Sequence, residues 1–551
     1  MRSMLNKATA LFLAGAALVA AAADTSAASA PPLRQTTYGA VLGSTDTGSG
    51  TTSWLGIPYA RPPVGALRWM PPVEPDAWTG TRTAQAFGAS CAQTGGVFSP
   101  APDNAPYGLS VRDGFGKPVG SEDCLTLNIW RPATADTNLP VIVFLHGGAN
   151  VAGYSSDPVY QGAALAAREH AVVVTLNYRL DLFGWLDMSQ IKTGDPIGDS
   201  GNFGTLDQIQ ALKYLRANAA AFGGNPGNVT VMGQSAGAVD TWVLLVSPLA
   251  NGLFHRAVPL SGGLQTADGV TPKVYAAALL TKLLVTCGKA SNDFTAGLYL
   301  LSHSNQDVAT WLRSLSTQQV LLAEESLGLP APAALPDGRV IPALPLLALA
   351  SGQYNHVPVL AGNTKEEAKL FGLINAFKLG DYDRFTAQYQ FDPNAAPTLT
   401  EGDLLNPPYL PVDQPLTGWN AVSSLFTAAV YTTSTIESMS ALSLQQPQQA
   451  WYYRFDWKQE PVPFGTVYGA THALDLPFLF GNFGHNEFSF AFSNANAPGR
   501  LALSNAMMDT LGAFAATGNP TTASGGGSWP NWPAMMVFDA SQTQANVHVG
   551  W

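Results

Sequence analysis

Ser235 lies in Gly233-Gln234-Ser235-Ala236-Gly237, with Val229-Thr230-Val231-Met232 ahead of it and the helical run Ala238 to Val246 behind. A hydroxyl becomes a useful nucleophile when a base takes its proton and a sharp turn lifts it clear of the backbone. Strand, tight turn and helix in that order make such an elbow. Glycines flank the serine because side chains there would collide with the neighbouring strand and helix. With 54 glycines in 551 residues the bare G-x-S-x-G pattern is a weak signal. Its position between a strand and a helix gives it weight.

Acyl transfer also needs donors for the oxygen that becomes negative. His146-Gly147-Gly148-Ala149 follows an apolar run, and the N–H groups of Gly147, Gly148 and Ala236 are the candidate donors. The base is sought among eight histidines. His146 belongs to the oxyanion turn, where an architectural role is expected. His472, in Gly469-Ala470-Thr471-His472-Ala473-Leu474-Asp475, lies on a glycine-containing loop late in the chain, where the order serine, acid, histidine puts the base. Those at 170, 255, 303, 356, 485 and 548 lack such a setting and read as surface or structural residues. The acid is expected between serine and base, after a strand. Val357-Pro358-Val359-Leu360-Ala361 leads into Gly362-Asn363-Thr364-Lys365-Glu366-Glu367. Either glutamate could hold the histidine tautomer and stabilise its cation, and spacing leaves both open.

These residues need a frame. Val141-Ile142-Val143-Phe144-Leu145, Val172-Val173-Val174-Thr175-Leu176 and Val229 to Met232 are near-continuous apolar runs, as in strands buried on both faces of a parallel sheet. Leu206, Ile209, Leu212, Leu215, Ala219 and Phe222 recur at helical spacing until Gly223-Gly224-Asn225-Pro226 stops the helix. Repeated strand–helix–strand units predict a doubly wound α/β sheet. Residues 265–350 and 370–450 read as helical insertions forming a cap over the C-terminal edge of that sheet. Ser524-Gly525-Gly526-Gly527-Ser528 reads as a flexible surface loop.

Composition narrows the function. The net charge of −11, with only 27 Lys and Arg, excludes a basic stripe for nucleic acid or an anionic membrane surface. Arg2 and Lys7 precede the apolar run Ala8 to Ala23, and Ala21-Ala22-Ala23 offers small residues for a peptidase, so residues 1–23 read as a cleaved signal peptide. The run is short for a spanning helix, and no other stretch is long and apolar enough to insert stably in a bilayer. The expected location is secreted or periplasmic. Of three cysteines, spacing favours Cys91 with Cys124, leaving Cys287 free.

Together these residues resemble the type-B carboxylesterase and cholinesterase family over most of residues 31–551. Gly56-Ile57-Pro58-Tyr59-Ala60 with Pro62-Pro63-Val64-Gly65 and Leu67-Arg68 looks like the family's N-terminal signature. Glu122-Asp123-Cys124-Leu125-Thr126-Leu127-Asn128 resembles its cysteine motif and supports a Cys91–Cys124 disulfide. Asn177 to Leu180, Gly201 to Gly204 with Asp207-Gln208, and Phe222 to Pro226 also fit. The resemblance implies a single α/β-hydrolase domain and a serine esterase acting through Ser235, Glu367 and His472, the acid role falling on Glu367. Ser261 matches a buttressing position, and Gln234 stands beside the nucleophile where cholinesterases carry Glu. The cysteine loop has no Trp, so a choline ester is not the favoured substrate. No metal or organic cofactor is implied, and the partner is a small-molecule or polymeric ester. Two other readings stand beside this one: a lipase or polyester depolymerase on insoluble material, and a non-catalytic adhesion module, which usually lacks the nucleophile present here.

Overall fold

The apolar runs form the centre of one large sheet. In the computed structural model, which describes residues 32–371, 375–389 and 398–550, eleven strands join it: β1 (Ser44–Asp46), β2 (Thr51–Pro58), β3 (Thr126–Pro132), β4 (Leu139–Leu145), β5 (Val172–Leu176), β6 (Gly224–Gln234), β7 (Arg256–Leu260), β8 (Val359–Thr364), β9 (Ala450–Phe455), β10 (Met535–Ala540) and β11 (Ala545–Gly550). Their spatial order is β1-β2-β3-β5-β4-β6-β7-β8-β9-β10-β11. Every pairing from β5 to β10 is parallel, and the flanking pairs are antiparallel.

Alternation along the strands explains why these sequences are apolar throughout. Val141, Val143 and Leu145 of β4 enter the core on one face, and Ile142 and Phe144 enter the core on the other. Val172, Val174 and Leu176 of β5 likewise oppose Val173. A polar residue at any of these positions would be buried, whichever face it took. Helix α1 (Phe203–Asn218) and the turn after it lay Leu206, Ile209, Leu212, Leu215, Ala219 and Phe222 on the first of these faces. Gly223, at φ 81°, ends the run as the sequence predicts.

The expected insertions are helical. The first contains Thr271–Thr286, Asp293–Ser302, Asn305–Ser314, Thr317–Glu325 and Pro345–Ala350. The second contains Asp381–Tyr389, Glu401–Leu404, Trp419–Phe426 and Thr433–Ser443, with a π-helical turn at Thr427–Thr432 between the last two. Two buried ion pairs tie the frame together: Arg179 with Asp207 at 2.7 Å, and Arg68 with Glu122 at 2.5 Å. Arg68 also donates to the carbonyls of Leu312 and Leu315, binding the first insertion to the N-terminal part. Cys91 and Cys124 form a disulfide and Cys287 is a free thiol.

The glycine-rich segment at Ser524–Ser528 differs from the free loop expected. Thr522 and Gly527 form a β-bridge, Ser524 donates to Asp509, and Trp529 Nε1 donates to the Gly525 carbonyl at 2.9 Å. Its glycines serve a hydrogen-bonded turn held by partners on either side of it in the chain. Residues 1–23 and the small-residue run at 28–30 lie outside the described residues. No helix among the described residues is long and apolar enough to cross a membrane.

Candidate active site

The serine elbow forms at the carboxyl end of β6. Ser235 takes φ 59° and ψ −122°, between β6 and helix α2 (Ala236–Val246). Its N–H donates to the Leu260 carbonyl of β7 at 2.8 Å, and its carbonyl accepts from Ala238 and Val239. Such a conformation is strained for a residue with a side chain, and it persists because both neighbours fix it. The glycines allow close contact. A Cβ on Gly233 would sit 2.0 Å from the Gly237 carbonyl oxygen, and one on Gly237 would sit 2.1 Å from that of Leu145.

Beside the elbow runs the turn after β4. A Cβ on Gly147 would lie 3.0 Å from Ser235 Cβ, so the backbone itself packs against the serine. Gly148 has φ 107°, followed by positive φ at Ala149 and Asn150. The N–H groups of Gly147, Gly148 and Ala236 donate to no other group among the described residues. Ala236 is the first residue of its helix, where an N–H has no intrahelical partner. His146 is architectural: it is buried, stacks on Tyr178 with centroids 4.5 Å apart, and contacts the Gly147 carbonyl through Nδ1 at 2.9 Å. Burial pushes its pKa down to about 4, which keeps it neutral.

His472 and Glu367 meet at the sheet's carboxyl edge, Glu367 just after β8 and His472 on the loop after its neighbour β9. His472 Nδ1 lies 2.6 Å from Glu367 Oε2, both side chains being buried. Glu367 Oε1 accepts from the Thr364 N–H at 2.8 Å and from Asn363 Nδ2 at 3.0 Å. Burial works to raise the pKa of this carboxyl. The His472 charge and hydrogen bond, Ser261 and Asn363 outweigh it and hold Glu367 below the usual glutamate range. An ionised Glu367 accepts the Nδ1 proton and leaves His472 Nε2 as the acceptor nitrogen. Ser261, at φ 57°, sets its buried hydroxyl beside this carboxylate, short of a full hydrogen bond.

The two glutamates that spacing left open have separate jobs. Glu366 pairs with Lys369 at 2.7 Å and accepts from the Ala470 N–H at 3.0 Å, so it clamps the loop that carries His472. Gln234 is closer to the chemistry than a supporting position implies. Its Nε2 lies 3.0 Å from His472 Nε2, and Ser235 Oγ makes no hydrogen bond in this conformation.

Two cavities meet at the serine. One, of 560 Å³, is bounded by Gln265, Thr266, Pro332, Ala333 and Val430 from the insertions. The other, of 460 Å³, holds His472, Gly147 and Gly148 and is walled by Phe98, Leu370, Phe371 and Phe488. Ser235, Ala149 and Tyr431 border both. Tyr431 sits 4.8 Å from His472 and stacks on Phe371. Sequence reasoning missed these wall residues, because they come from turns and insertions with no periodic signal. Asn363 and Thr364 were within reach, being the polar residues that end β8 just before the acid.

A family model described as "Carboxylesterase family" matches residues 30–548. The chain belongs to the carboxylesterase family. This carboxylesterase is 34% identical over 521 residues to the para-nitrobenzyl esterase of Bacillus subtilis, spanning 93% of this chain and 95% of that one. It is 31% identical over 539 residues to the human cocaine esterase, spanning 93% of this chain and 87% of that one. A solved carboxylesterase of Geobacillus stearothermophilus superposes with a TM-score of 0.70 at 32% identity, over 94% of this chain and 98% of that one. The fold is that of α/β hydrolases, and the protein is a carboxylic-ester hydrolase.

Proposed function

We propose that this carboxylesterase works by two-step acyl transfer, with Ser235 as nucleophile, His472 as general base and acid, and Glu367 as the group that fixes the imidazole. The observation that carries this reading is the 2.6 Å contact of a buried, ionised Glu367 with Nδ1 of His472, whose ring lines the same cavity as the strained Ser235. Ser235 Oγ takes the place of Gln234 at His472 Nε2 when substrate binds; such contacts often tighten only in the complex. The hydroxyl gives its proton to Nε2 and attacks the ester carbonyl. Gly147, Gly148 and Ala236 meet the oxyanion with their free N–H groups, each worth about 10²–10³ in rate. His472 returns the proton to the departing alcohol. Water then hydrolyses the acyl-enzyme by the same route, with no metal or organic cofactor.

Export through a cleaved signal at residues 1–23 belongs to the same proposal. It is supported by the basic start, the apolar run and the Ala21–Ala23 site. N-terminal sequencing of the exported protein should begin at Asp24 or a few residues later. Initial rates on p-nitrophenyl esters from acetate to palmitate, set against emulsified triglyceride, test the substrate side. Turnover of soluble esters with a clear chain-length preference is expected. Activity confined to the emulsion would favour a lipase, and inertness on both would overturn the catalytic reading.

A further inference from the structure

The turn that carries Gly147 and Gly148 and the helix that carries Ala236 must keep a fixed spacing if their N–H groups are to meet one oxyanion. The turn does not hold its own shape. Gly148, Ala149 and Asn150 take φ 107°, 56° and 60° in succession. Two of these carry side chains through left-handed backbone, which persists only where neighbours enforce it. At the start of the turn the Tyr178 hydroxyl donates to the His146 carbonyl at 2.6 Å. At its end the Asp181 N–H donates to the Asn150 carbonyl at 2.7 Å. Neither bond ties the turn to α2.

Among the described residues a single hydrogen bond joins residues 146–153 to residues 235–246: Asn150 Nδ2 donates to Asp240 Oδ1 at 3.1 Å. Both side chains are buried, and Asp240 lies on α2 beyond Ser235. Its other oxygen, Oδ2, accepts from Gln208 Nε2 of α1 at 2.6 Å. The carboxyl meets these two amides and no cation among the described residues. A line of side chains therefore runs from α1, through the helix of the nucleophile, to the oxyanion turn. Burial pushes Asp240 up to about 7, against the pull of Gln208 and Asn150. The bond to Asn150 does not depend on that charge. Oδ1 accepts in either form, and a proton on Oδ2 meets Gln208 Oε1, which is buried and has no donor, once that amide turns over.

We propose that Asn150 and Asp240 are positioning residues for the oxyanion hole, their hydrogen bond setting the spacing between the N–H groups of Gly147 and Gly148 on the turn and that of Ala236 on the helix. The inference rests on the ester-hydrolase reading of the site. Asp240 borders neither cavity at the serine, so it acts on the reaction through the turn and not by touching substrate.

The test uses Asn150→Gly, Asp240→Ala, the two combined, and Asp240→Asn, assayed on p-nitrophenyl butyrate. Glycine adopts φ 60° freely, so Asn150→Gly removes the side chain without adding strain. Each of the first two should lower kcat by about 10–10²-fold with KM held within about threefold, because the donors are displaced and the substrate walls are not. The combined variant should lose no more than the worse single one, since both remove the same bond. Asp240→Asn should recover most of the activity: its Oδ1 keeps Asn150 and its NH₂ reaches the unpartnered Gln208 Oε1. A second readout is propyl trifluoromethyl ketone. Ser235 Oγ adds to its carbonyl carbon, the serine proton passes to His472, and the carbonyl oxygen becomes the oxyanion. Its Ki should weaken by about the factor lost in kcat/KM. A loss confined to KM, a loss in kcat without a weaker Ki, additive losses, or Asn150→Gly at wild-type rates overturns the proposal. So does an Asp240→Asn variant as slow as Asn150→Gly, a comparison that stands even where Asp240→Ala does not fold. A wild type that cleaves no ester would instead remove the ester-hydrolase reading beneath it.

Discussion

Replacing Glu367 with Gln changes one oxygen to nitrogen, and the surroundings dictate which way the new amide faces. In the wild type Oε1 accepts from the Thr364 N–H and from Asn363 Nδ2, while Oε2 accepts from His472 Nδ1. If the amide oxygen stays with Thr364 and Asn363, its NH₂ points at His472 Nδ1. The imidazole must then present a bare Nδ1 and carry its proton on Nε2, where it cannot accept from Ser235. The opposite orientation keeps the tautomer but sets NH₂ against two buried donors. At about 1–3 kcal/mol for each unsatisfied group, that costs about 2–6 kcal/mol. The first orientation prevails, so Glu367→Gln should fold normally yet lose about 10⁴-fold in kcat, the scale seen when a triad acid becomes its amide. Glu366→Gln is the control: it weakens a clamp on Ala470 and Lys369 and should lose far less. The assay is kcat on p-nitrophenyl butyrate, with circular dichroism to check folding. Activity of Glu367→Gln within tenfold of wild type, or an equal loss in Glu366→Gln, would refute the reasoning.

Three further outcomes follow from other contacts. Gly147→Ala places a Cβ 2.9 Å from Gln234 and 3.0 Å from Ser235 Cβ, so kcat should fall about 10²–10³-fold as the oxyanion turn is displaced; an unchanged kcat would exclude this turn from the reaction. Arg68→Met leaves Glu122 buried without its cation and removes the guanidinium's bonds to the Leu312 and Leu315 carbonyls of the first insertion, and denaturant titration should show a loss of about 3–5 kcal/mol. Burial, then the nearby Asp181 charge, pushes Glu324 up to about 10. The folded protein thus keeps a proton that the unfolded chain has lost above its own pKa. Stability should fall with rising pH, by up to about 1.4 kcal/mol per unit, until the folded pKa is passed. Thermal melts from about pH 6 to about pH 9 should show a shallower fall for Glu324→Gln, and identical slopes would contradict the assignment.

Legibility from sequence differed by element. The central strands were legible because parallel strands buried on both faces leave little room for polar positions, so Val141–Leu145 and Val172–Leu176 read as near-continuous apolar runs, the one hydroxyl, Thr175, donating to the Ser155 carbonyl. The elbow was legible because its conformation demands glycines at fixed offsets from Ser235. Two adjacent glutamates could not be separated by spacing. Which of them meets His472 depends on the direction each side chain takes after β8, and the family resemblance rather than spacing pointed to Glu367. The cavity walls were illegible for a different reason. Phe98 comes from the disulfide loop, Tyr431 from a π-helical turn, and Glu487 from an irregular turn after the base, and nothing in their local sequence marks them as neighbours. The Ser524–Ser528 turn misled because its glycine content resembles a free loop, whereas Asp509 and Trp529 bind it down.

The most direct measurement of the central claim is acid-quenched peptide mass mapping after brief reaction with p-nitrophenyl butyrate, in the wild type and in Ser235→Ala. A butyryl group on the peptide that contains Ser235, absent from the variant along with turnover, is the predicted result. An acyl group on another residue, or a Ser235→Ala variant that turns over like the wild type, would contradict it.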